Sequence, residues 1–229
     1  MKRSHINSVI KDMEKLLEDC HFYLPPFASW QKQDFLLNKE GALEIFDNRL
    51  GWDITDYGTG RFMECGFALF TIRNGNVKSP QKYPKTYAEK VLMLYPSQFA
   101  PTHYHVNKME DIINRGGNDV YIGVWNGDAS GHLLDSDVIV SLDGVRKTFK
   151  AGSSILLHPG ESITITPYLY HNFKAKDTGG PVLLGEVSMC NDDEHDNYFY
   201  EPIGRFPEIE EDEEAYRVLC FEYDNILKN

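Results

Sequence analysis

Two histidines and a glutamate of the kind that bind metals stand close together between Pro101 and Asn118. His103 and His105 are two residues apart, and Glu110 follows His105 after four intervening residues. If this segment is a strand, alternate side chains share one face, so both imidazoles point the same way. Imidazole nitrogens bind transition metals, and a carboxylate adds a hard oxygen with a negative charge. The spacing therefore predicts a metal site in which one hairpin supplies three ligands.

A pair of exposed histidines on a surface strand is the competing interpretation of the same pattern. Two further features favour the metal site. Gly116 and Gly117 allow a sharp turn into the following strand, and His171 lies in a second strand-like segment, Ile163 to Phe173. A fourth ligand from that segment would still leave open coordination positions for a substrate or water.

The elements that would position these ligands are predicted to be mainly β-strands. The 229 residues are 41% hydrophobic and 13% aromatic, which is enough apolar material for a packed core. From about residue 66 to residue 190, short apolar segments recur every ten residues or so. One example is an Asp143-Gly144 turn between the predicted strands Val138–Val140 and Val145–Phe149. No helical crossover interrupts the series, so we expect a sandwich or barrel rather than a parallel α/β sheet.

The segments on either side of this region have a different character. Residues 1–60 are predicted to form a mixed, partly helical extension, because Ser4 to Cys20 carries an apolar stripe at helical spacing. Ser29 to Lys39 is predicted to form a second helix. Residues 191–229 are predicted to pack on the barrel, and their acidic run, Glu208 to Glu214, is interpreted as the start of a solvated helix.

Charge and cysteine usage restrict the expected partners and compartment. A net charge of -12 argues against a nucleic-acid partner, because phosphate binding needs a basic surface. The four cysteines contain no Cys-x-x-Cys pair, which is typical of reduced thiols in a cytoplasmic protein. No segment approaches the roughly 20 apolar residues that span a membrane, and the first residues lack the apolar run of a signal peptide. We therefore expect a cytoplasmic protein with no membrane partner.

The segment from His103 to Gly117 has the spacing His-x-His-x4-Glu-x6-Gly and resembles the first motif of cupins. Cupins are small antiparallel β-barrels that hold a metal through three histidines and one glutamate. The resemblance implies a jelly-roll barrel, with His171 as the fourth ligand. In the second cupin motif, Tyr168 stands where glycine is expected. We therefore expect a single cupin domain over residues 1–229, with a helical elaboration at its N-terminal end.

A longer resemblance is to the D-lyxose ketol-isomerases, a family of bacterial cupin sugar isomerases. It is carried by the segment Tyr87-Ala88-Glu89-Lys90 and by the string from Lys108 to Gly117, which generic cupins do not share. The resemblance implies a homodimer that depends on Mn²⁺, although other divalent transition metals are possible. It also implies interconversion of D-lyxose with D-xylulose and of D-mannose with D-fructose.

Such a reaction moves a hydrogen between C1 and C2 of the sugar, by proton transfer through an enediol or by a hydride shift. The enediol route needs a metal to stabilise the enediolate and a side chain to carry the proton. We expect Glu186 and Lys90 to be catalytic, and Lys90, Arg205 and Arg217 to bind substrate. Each has a simpler interpretation, as a charge at a strand end or in a surface ion pair.

Two other functions are compatible with the same ligands. One is a cupin oxygenase or decarboxylase that acts on a small acid, and the other is a sugar-binding cupin without catalytic activity. The fold alone does not separate these possibilities, because cupins carry out many chemistries. The string from Lys108 to Gly117 favours the isomerase.

Overall fold

The fold is a pair of facing antiparallel sheets with short helices at one side. The computed structural model describes residues 1–192 and 195–227. The strands, in chain order, are β1 Gly51–Thr55, β2 Phe67–Arg73, β3 Tyr87–Leu94, β4 Phe99–Tyr104, β5 Glu110–Gly116, β6 Val120–Gly127, β7 Leu133–Leu134, β8 Val138–Leu142, β9 Val145–Phe149, β10 Ser153–Leu157, β11 Ser162–Ile165, β12 Leu169–Ala175, β13 Val182–Met189 and β14 Tyr198–Phe199. The helices are α1 Arg3–Asp19, α2 Lys32–Leu37, α3 Leu43–Asp47 and α4 Tyr223–Leu227, with 3₁₀ turns at Pro26–Ser29 and Cys220–Glu222.

The strands divide into two sheets whose inner faces enclose the main core. One sheet has the order β1-β2-β3-β13-β5-β11-β8-β9, and the other has the order β10-β6-β12-β4-β14, with β7 paired to β6. Leu92, Ile112 and Leu184 of the first sheet share a buried cluster with Ile122 and Phe173 of the second. The prediction of a mainly β protein with a helical N-terminal segment is confirmed.

Helix α1 covers the outer face of the eight-stranded sheet. Its apolar stripe is buried as predicted, with Ile6, Ile10 and Met13 completely inaccessible. These side chains share a cluster with Trp52 of β1 and Phe70 of β2. The first six residues of β2 are therefore buried on both faces, which explains why all of them except Thr71 are apolar. Within the described residues, no helix is long and apolar enough to cross a membrane.

The acidic run from Glu208 to Glu214 does not begin a helix, so that interpretation is wrong. Glu211 instead forms two hydrogen bonds, of 2.9 and 2.7 Å, with the buried guanidinium of Arg3 at the start of α1. Asp212 accepts hydrogen bonds from the backbone nitrogen and hydroxyl of Ser4, at 2.9 and 2.8 Å. Helix α1 has no capping side chain and no acidic residue in its own first turn. The acidic residues therefore stabilise the N-terminus of α1 and not that of a helix of their own.

The predicted second helix is shorter than expected, and both flanking segments contribute strands. Helix α2 occupies only Lys32–Leu37, because Gln31 and Asp34 form a capping box that fixes its start. Strand β1 lies inside the predicted N-terminal extension, and β14 lies inside the predicted C-terminal segment. Residues 193, 194, 228 and 229 of that segment lie outside the described residues. Because both segments pair with the barrel strands, we propose that residues 1–229 form one domain.

Replacing Arg3 with alanine is expected to lower the free energy of unfolding by about 2 kcal/mol. The substitution removes charge-assisted hydrogen bonds to Glu211 and Glu222 from a buried position. The matched control is Lys15→Ala on the same helix, where an exposed pair with Asp19 contributes at most about 0.5 kcal/mol. Urea unfolding of both variants measures the difference. Equal losses in the two variants would contradict the assigned role of the acidic run.

Candidate metal centre

The two sheets bring the four predicted ligands together. His103 in β4 lies directly opposite His171 in β12, and His105 follows at the end of β4. Glu110 is the first residue of β5, which belongs to the other sheet. Ligand atoms of all four residues lie within 4.8 Å of one another. The expectation that one hairpin supplies three ligands is wrong, because Glu110 approaches from the facing sheet.

A backbone carbonyl fixes the orientation of each imidazole. The Nδ1 atoms lie at hydrogen-bond distance from carbonyl oxygens, His103 from Pro101 at 2.9 Å, His105 from Asp196 at 2.6 Å and His171 from Leu169 at 3.1 Å. A carbonyl oxygen can only accept, so each Nδ1 carries the hydrogen. In its neutral form each ring would then present its Nε2 lone pair to the centre of the cluster, as metal-binding histidines do.

The ligand atoms face one another in a way that suits a bound cation. The Nε2 atoms of His105 and His171 are buried and have no hydrogen-bond partner among the described residues. They lie 3.5 and 3.0 Å from Oε1 of Glu110, which is also buried. Nitrogen lone pairs and a carboxylate repel one another in a dry site unless a positive charge lies between them. Three imidazoles and one carboxylate therefore fit a divalent transition metal.

Burial and neighbouring charges set the protonation states that metal binding needs. Burial, together with the nearby His171 and His105, lowers the pKa of His103 well below its usual value. Burial acts to raise the pKa of Glu110, but Lys108 and His105 outweigh it and hold this pKa well below the usual range. A neutral imidazole and an ionised carboxylate are the forms that coordinate metals.

Asp196 supports the cluster from a distant part of the chain. Its carboxylate accepts hydrogen bonds from the backbone nitrogens of Val106, Asn107 and Lys108, at 2.8, 2.9 and 2.8 Å. Its carbonyl also holds the ring of His105. The loop between the second histidine and Glu110 is therefore fixed by one residue. The sequence pattern did not identify Asp196, because this contact spans 91 residues.

A buried ion cluster adjoins the ligands. Glu186 in β13 lies directly opposite Lys90 in β3, and their charged groups are 3.2 Å apart. Lys108 lies between the two carboxylates, with Nζ 2.6 Å from Glu110 and 3.2 Å from Glu186. Lys90, Lys108 and Glu186 are all buried, so the interpretation of Lys90 and Glu186 as exposed strand-end charges is wrong. No role was predicted for Lys108, although it begins the string that carried the family resemblance.

The carboxylate of Glu186 is held in its ionised form. Burial acts to raise its pKa, but the ammonium groups of Lys108 and Lys90 outweigh burial and lower the pKa below its usual value. The hydroxyl of Ser188 also donates a hydrogen bond to Glu186, at 3.0 Å. An ionised carboxylate that is shielded from bulk water can accept a proton from a bound molecule.

The two predicted arginines have different positions. Arg205 lines the cavity around the ligands, and its Nη2 donates a hydrogen bond of 2.6 Å to Asp53. Arg217 does not line that cavity; its Nε binds Glu14 of α1 at 2.9 Å, and its guanidinium stacks on Tyr216. The structure therefore does not place Arg217 at the site, because α1 holds its side chain.

Two neighbouring cavities lie at the cluster and beside it. The inner cavity has a volume of about 60 Å³ and is lined by ligands and by Lys108 and Glu186. The outer cavity has a volume of about 580 Å³ and is lined by residues such as Asp53 and Asn191. Leu69, Lys90 and Arg205 line both of them. The two cavities therefore adjoin each other at these three residues.

Tyr168 occupies a backbone conformation that normally favours glycine. Its φ of 61° lies in the left-handed region, at the position where the cupin motif has glycine. The backbone nitrogen of Tyr168 donates a hydrogen bond of 2.7 Å to the carbonyl of His105. The turn thus ties the segment before His171 to the second histidine of the cluster, despite a conformational cost of about 1 kcal/mol.

Solved structures with similar folds include sugar isomerases. An L-ribose isomerase from Acinetobacter sp. DL28, solved in complex with L-ribose, superposes with a TM-score of 0.58 at 14% identity. The match covers 91% of this chain and 98% of that chain. An identity this low supports only the fold. The predicted cupin barrel with an N-terminal helical elaboration is confirmed.

Sequence comparisons identify much closer relatives. The chain is 45% identical over 228 residues to a D-lyxose/D-mannose isomerase of Escherichia coli O157:H7, covering 97% of this chain and 98% of the relative. It is 42% identical to a D-lyxose/D-mannose isomerase of Serratia proteamaculans, with the same coverage. The family described as D-lyxose isomerase matches residues 1–223. The chain therefore belongs to the D-lyxose isomerase family.

Proposed function

We propose that the protein is a metal-dependent aldose–ketose isomerase that interconverts D-lyxose with D-xylulose and D-mannose with D-fructose. The observation that carries this proposal is a buried, ionised Glu186 beside the metal-ligand cluster, between Lys90 and Lys108. The relatives named D-lyxose/D-mannose isomerase support the choice of sugars.

We propose Mn²⁺ as the bound metal, held by His103, His105, Glu110 and His171. A mixed set of imidazole and carboxylate ligands without a thiolate accepts Mn²⁺ and other divalent transition metals. When bound, the metal would supply a Lewis acid that polarises the sugar carbonyl and stabilises negative charge on the C1 and C2 oxygens.

The residues of the inner cavity favour the enediol route. The Glu186 carboxylate takes a proton from one of the two reacting carbons and returns it to the other, while the hydroxyl proton moves between the C1 and C2 oxygens. Lys90 and Lys108 keep this carboxylate ionised and present ammonium hydrogens to substrate oxygens that become negative. A hydride shift needs no such proton carrier, so the position of Glu186 between the two lysines favours proton transfer.

Two alternative functions, a sugar-binding cupin without activity and a cupin oxygenase or decarboxylase, fit the site less well. A non-catalytic sugar-binding cupin has no need for a buried proton acceptor between two lysines. The relatives named D-lyxose/D-mannose isomerase favour sugar isomerisation over an oxygenase or decarboxylase reaction of a small acid. We therefore favour the isomerase over both.

We also propose a cytoplasmic homodimer. Three apolar side chains lie side by side at the eight-stranded sheet: Tyr87 of β3, Met189 of β13 and Met109, which precedes β5. They are 48%, 50% and 44% exposed. A contiguous apolar row of this kind is typical of protein interfaces. The four cysteines are free thiols, as is usual in the reducing cytoplasm.

Removing the metal is expected to abolish ketose formation from D-lyxose and D-mannose. The protein is stripped with a chelator, and xylulose or fructose formation is measured before and after Mn²⁺ is added. Added Mn²⁺ should restore turnover, and circular dichroism should show that the stripped protein stays folded. Undiminished turnover by the stripped protein would contradict a metal-dependent reaction. No turnover with Mn²⁺ present would contradict the isomerase, and oxygen uptake with small carboxylic acids would be tested next.

Variants of the two carboxylates should separate metal binding from proton transfer. Glu110→Ala and His103→Ala are expected to lose both bound metal and activity while the barrel stays folded. Glu186→Gln should keep the metal but lower kcat by roughly 10²–10⁴-fold, because the amide cannot accept the proton. Bound metal is measured by elemental analysis, and deuterium uptake at the reacting carbon is measured in D₂O.

The matched control for Glu186→Gln is Glu89→Gln on β3. Glu89 is next to Lys90 in the sequence, but it pairs with Arg73 at 2.7 Å outside the cavity. Its variant should keep wild-type kcat and metal content. Full activity of Glu186→Gln would show that proton transfer does not pass through this carboxylate.

A further inference from the structure

The inner cavity is too small to hold an entire sugar. Its volume of about 60 Å³ accommodates only a few water molecules. An open-chain pentose or hexose with C1 and C2 at the metal ligands must therefore extend further. The outer cavity of about 580 Å³ adjoins the inner one along Leu69, Lys90 and Arg205. We place the carbons remote from C1 and C2 in the outer cavity, because it shares the charged residues Lys90 and Arg205 with the inner one.

A buried carboxylate in the wall of the outer cavity has one oxygen that accepts no hydrogen bond from the described residues. Asp53 is 2% exposed, and its Oδ2 accepts a hydrogen bond of 2.6 Å from Arg205. Its other oxygen, Oδ1, is buried and has no hydrogen-bond partner in the part of the chain that the structure describes. An unsatisfied buried carboxylate oxygen is costly in free energy, so such atoms are rare unless a ligand satisfies them.

Strand β1 positions this carboxylate together with Arg205. Alternate residues of β1 face opposite sides, and Trp52 and Ile54 pack in the cluster beneath α1. Asp53 and Thr55 consequently lie on the opposite, inner side. The hydroxyl of Thr55 donates a hydrogen bond to the carbonyl of Arg205, while Asp53 binds the guanidinium of the same residue. Two adjacent inner-face residues of β1 thus hold both the backbone and the side chain of Arg205.

We propose that Asp53 is a substrate-binding residue for the end of the sugar remote from C1 and C2. Its Oδ1 accepts a hydrogen bond from the hydroxyl at C4 or C5, and Arg205 holds the carboxylate in the orientation that this bond needs. A sugar hydroxyl is a donor that an ionised carboxylate binds with a strong, charge-assisted hydrogen bond. This inference rests on the proposed isomerase and names a residue that recognises the length and hydroxylation of its substrate.

The test compares D-lyxose with analogues that lack the hydroxyl at C4 or at C5. In the wild-type protein, kcat/KM should fall by about tenfold or more for the analogue that lacks the bonded hydroxyl. Asp53→Asn should lower kcat/KM for D-lyxose by a similar factor, mainly through KM. For that same analogue, the variant and the wild type should have equal kcat/KM, because the hydrogen bond is already absent.

Asp56→Asn is the matched control for Asp53→Asn. Asp56 is equally buried, and its carboxylate binds the backbone nitrogens of Gly58 and Gly60 at 2.9 and 3.1 Å. Its variant should be less stable to heat but should discriminate between D-lyxose and the analogues as the wild type does. A loss of stability alone would therefore not produce the change in substrate discrimination that is expected for Asp53→Asn.

Two results would overturn the role of Asp53. One is a wild-type KM for D-lyxose in Asp53→Asn, and the other is an equal loss with D-lyxose and with both analogues. If the wild type does not isomerise these sugars, the proposed function fails separately. Calorimetric titration of the Mn²⁺-loaded proteins with the same sugars then decides the question, since Asp53→Asn should lose affinity for D-lyxose but not for the responsive analogue. Unchanged affinity for D-lyxose would reject the role.

Discussion

The repulsion among four electron-rich ligand atoms is the constraint on which the centre of this structure depends. The Nε2 lone pairs and the Glu110 carboxylate converge within 4.8 Å. They keep these positions because hydrogen bonds on the side away from the centre orient the rings and the loop. Carbonyl groups fix the three rings, and Asp196 fixes the loop between His105 and Glu110. The antiparallel pairing of β4 with β12 places His103 beside His171, and the facing strand β5 places Glu110 opposite them. A cation bound among these atoms would relieve their repulsion.

The charges next to the ligands form an alternating series. Glu110, Lys108, Glu186 and Lys90 follow one another at separations of 2.6, 3.2 and 3.2 Å. The two positive and two negative groups cancel, which makes their burial tolerable. Lys108 contacts both Glu110, a proposed metal ligand, and Glu186, the proposed proton carrier. A metal held by Glu110 would therefore also change the electrostatic environment of Glu186 through this ammonium group.

Local patterns in the sequence predicted those parts of the fold that local physics determines. The apolar stripe of α1 and the Asp143-Gly144 turn, with φ of 50° and 82°, formed where the sequence indicated. The sequence pattern placed Glu110 in the same hairpin as His103 and His105, and so did not predict its approach from the facing sheet. The cross-sheet position of β5 follows from long-range pairing with β13 and β11, which no local pattern encodes. The Asp196 contacts and the binding of Arg3 by the acidic run likewise join distant residues.

Strand β1 shows why the missed elements matter for function. Its five residues include a glycine and an aspartate and are buried along their whole length, so they show none of the alternation by which half-buried strands are recognised. Trp52 and Ile54 bind the strand to the layer beneath α1, whereas Asp53 and Thr55 hold Arg205 at the mouth of the inner cavity. The outward side chains supply the hydrophobic free energy that keeps a buried, partly unsatisfied carboxylate in place. The helical N-terminal layer is therefore a support for the cavity wall as well as a cover for the sheet.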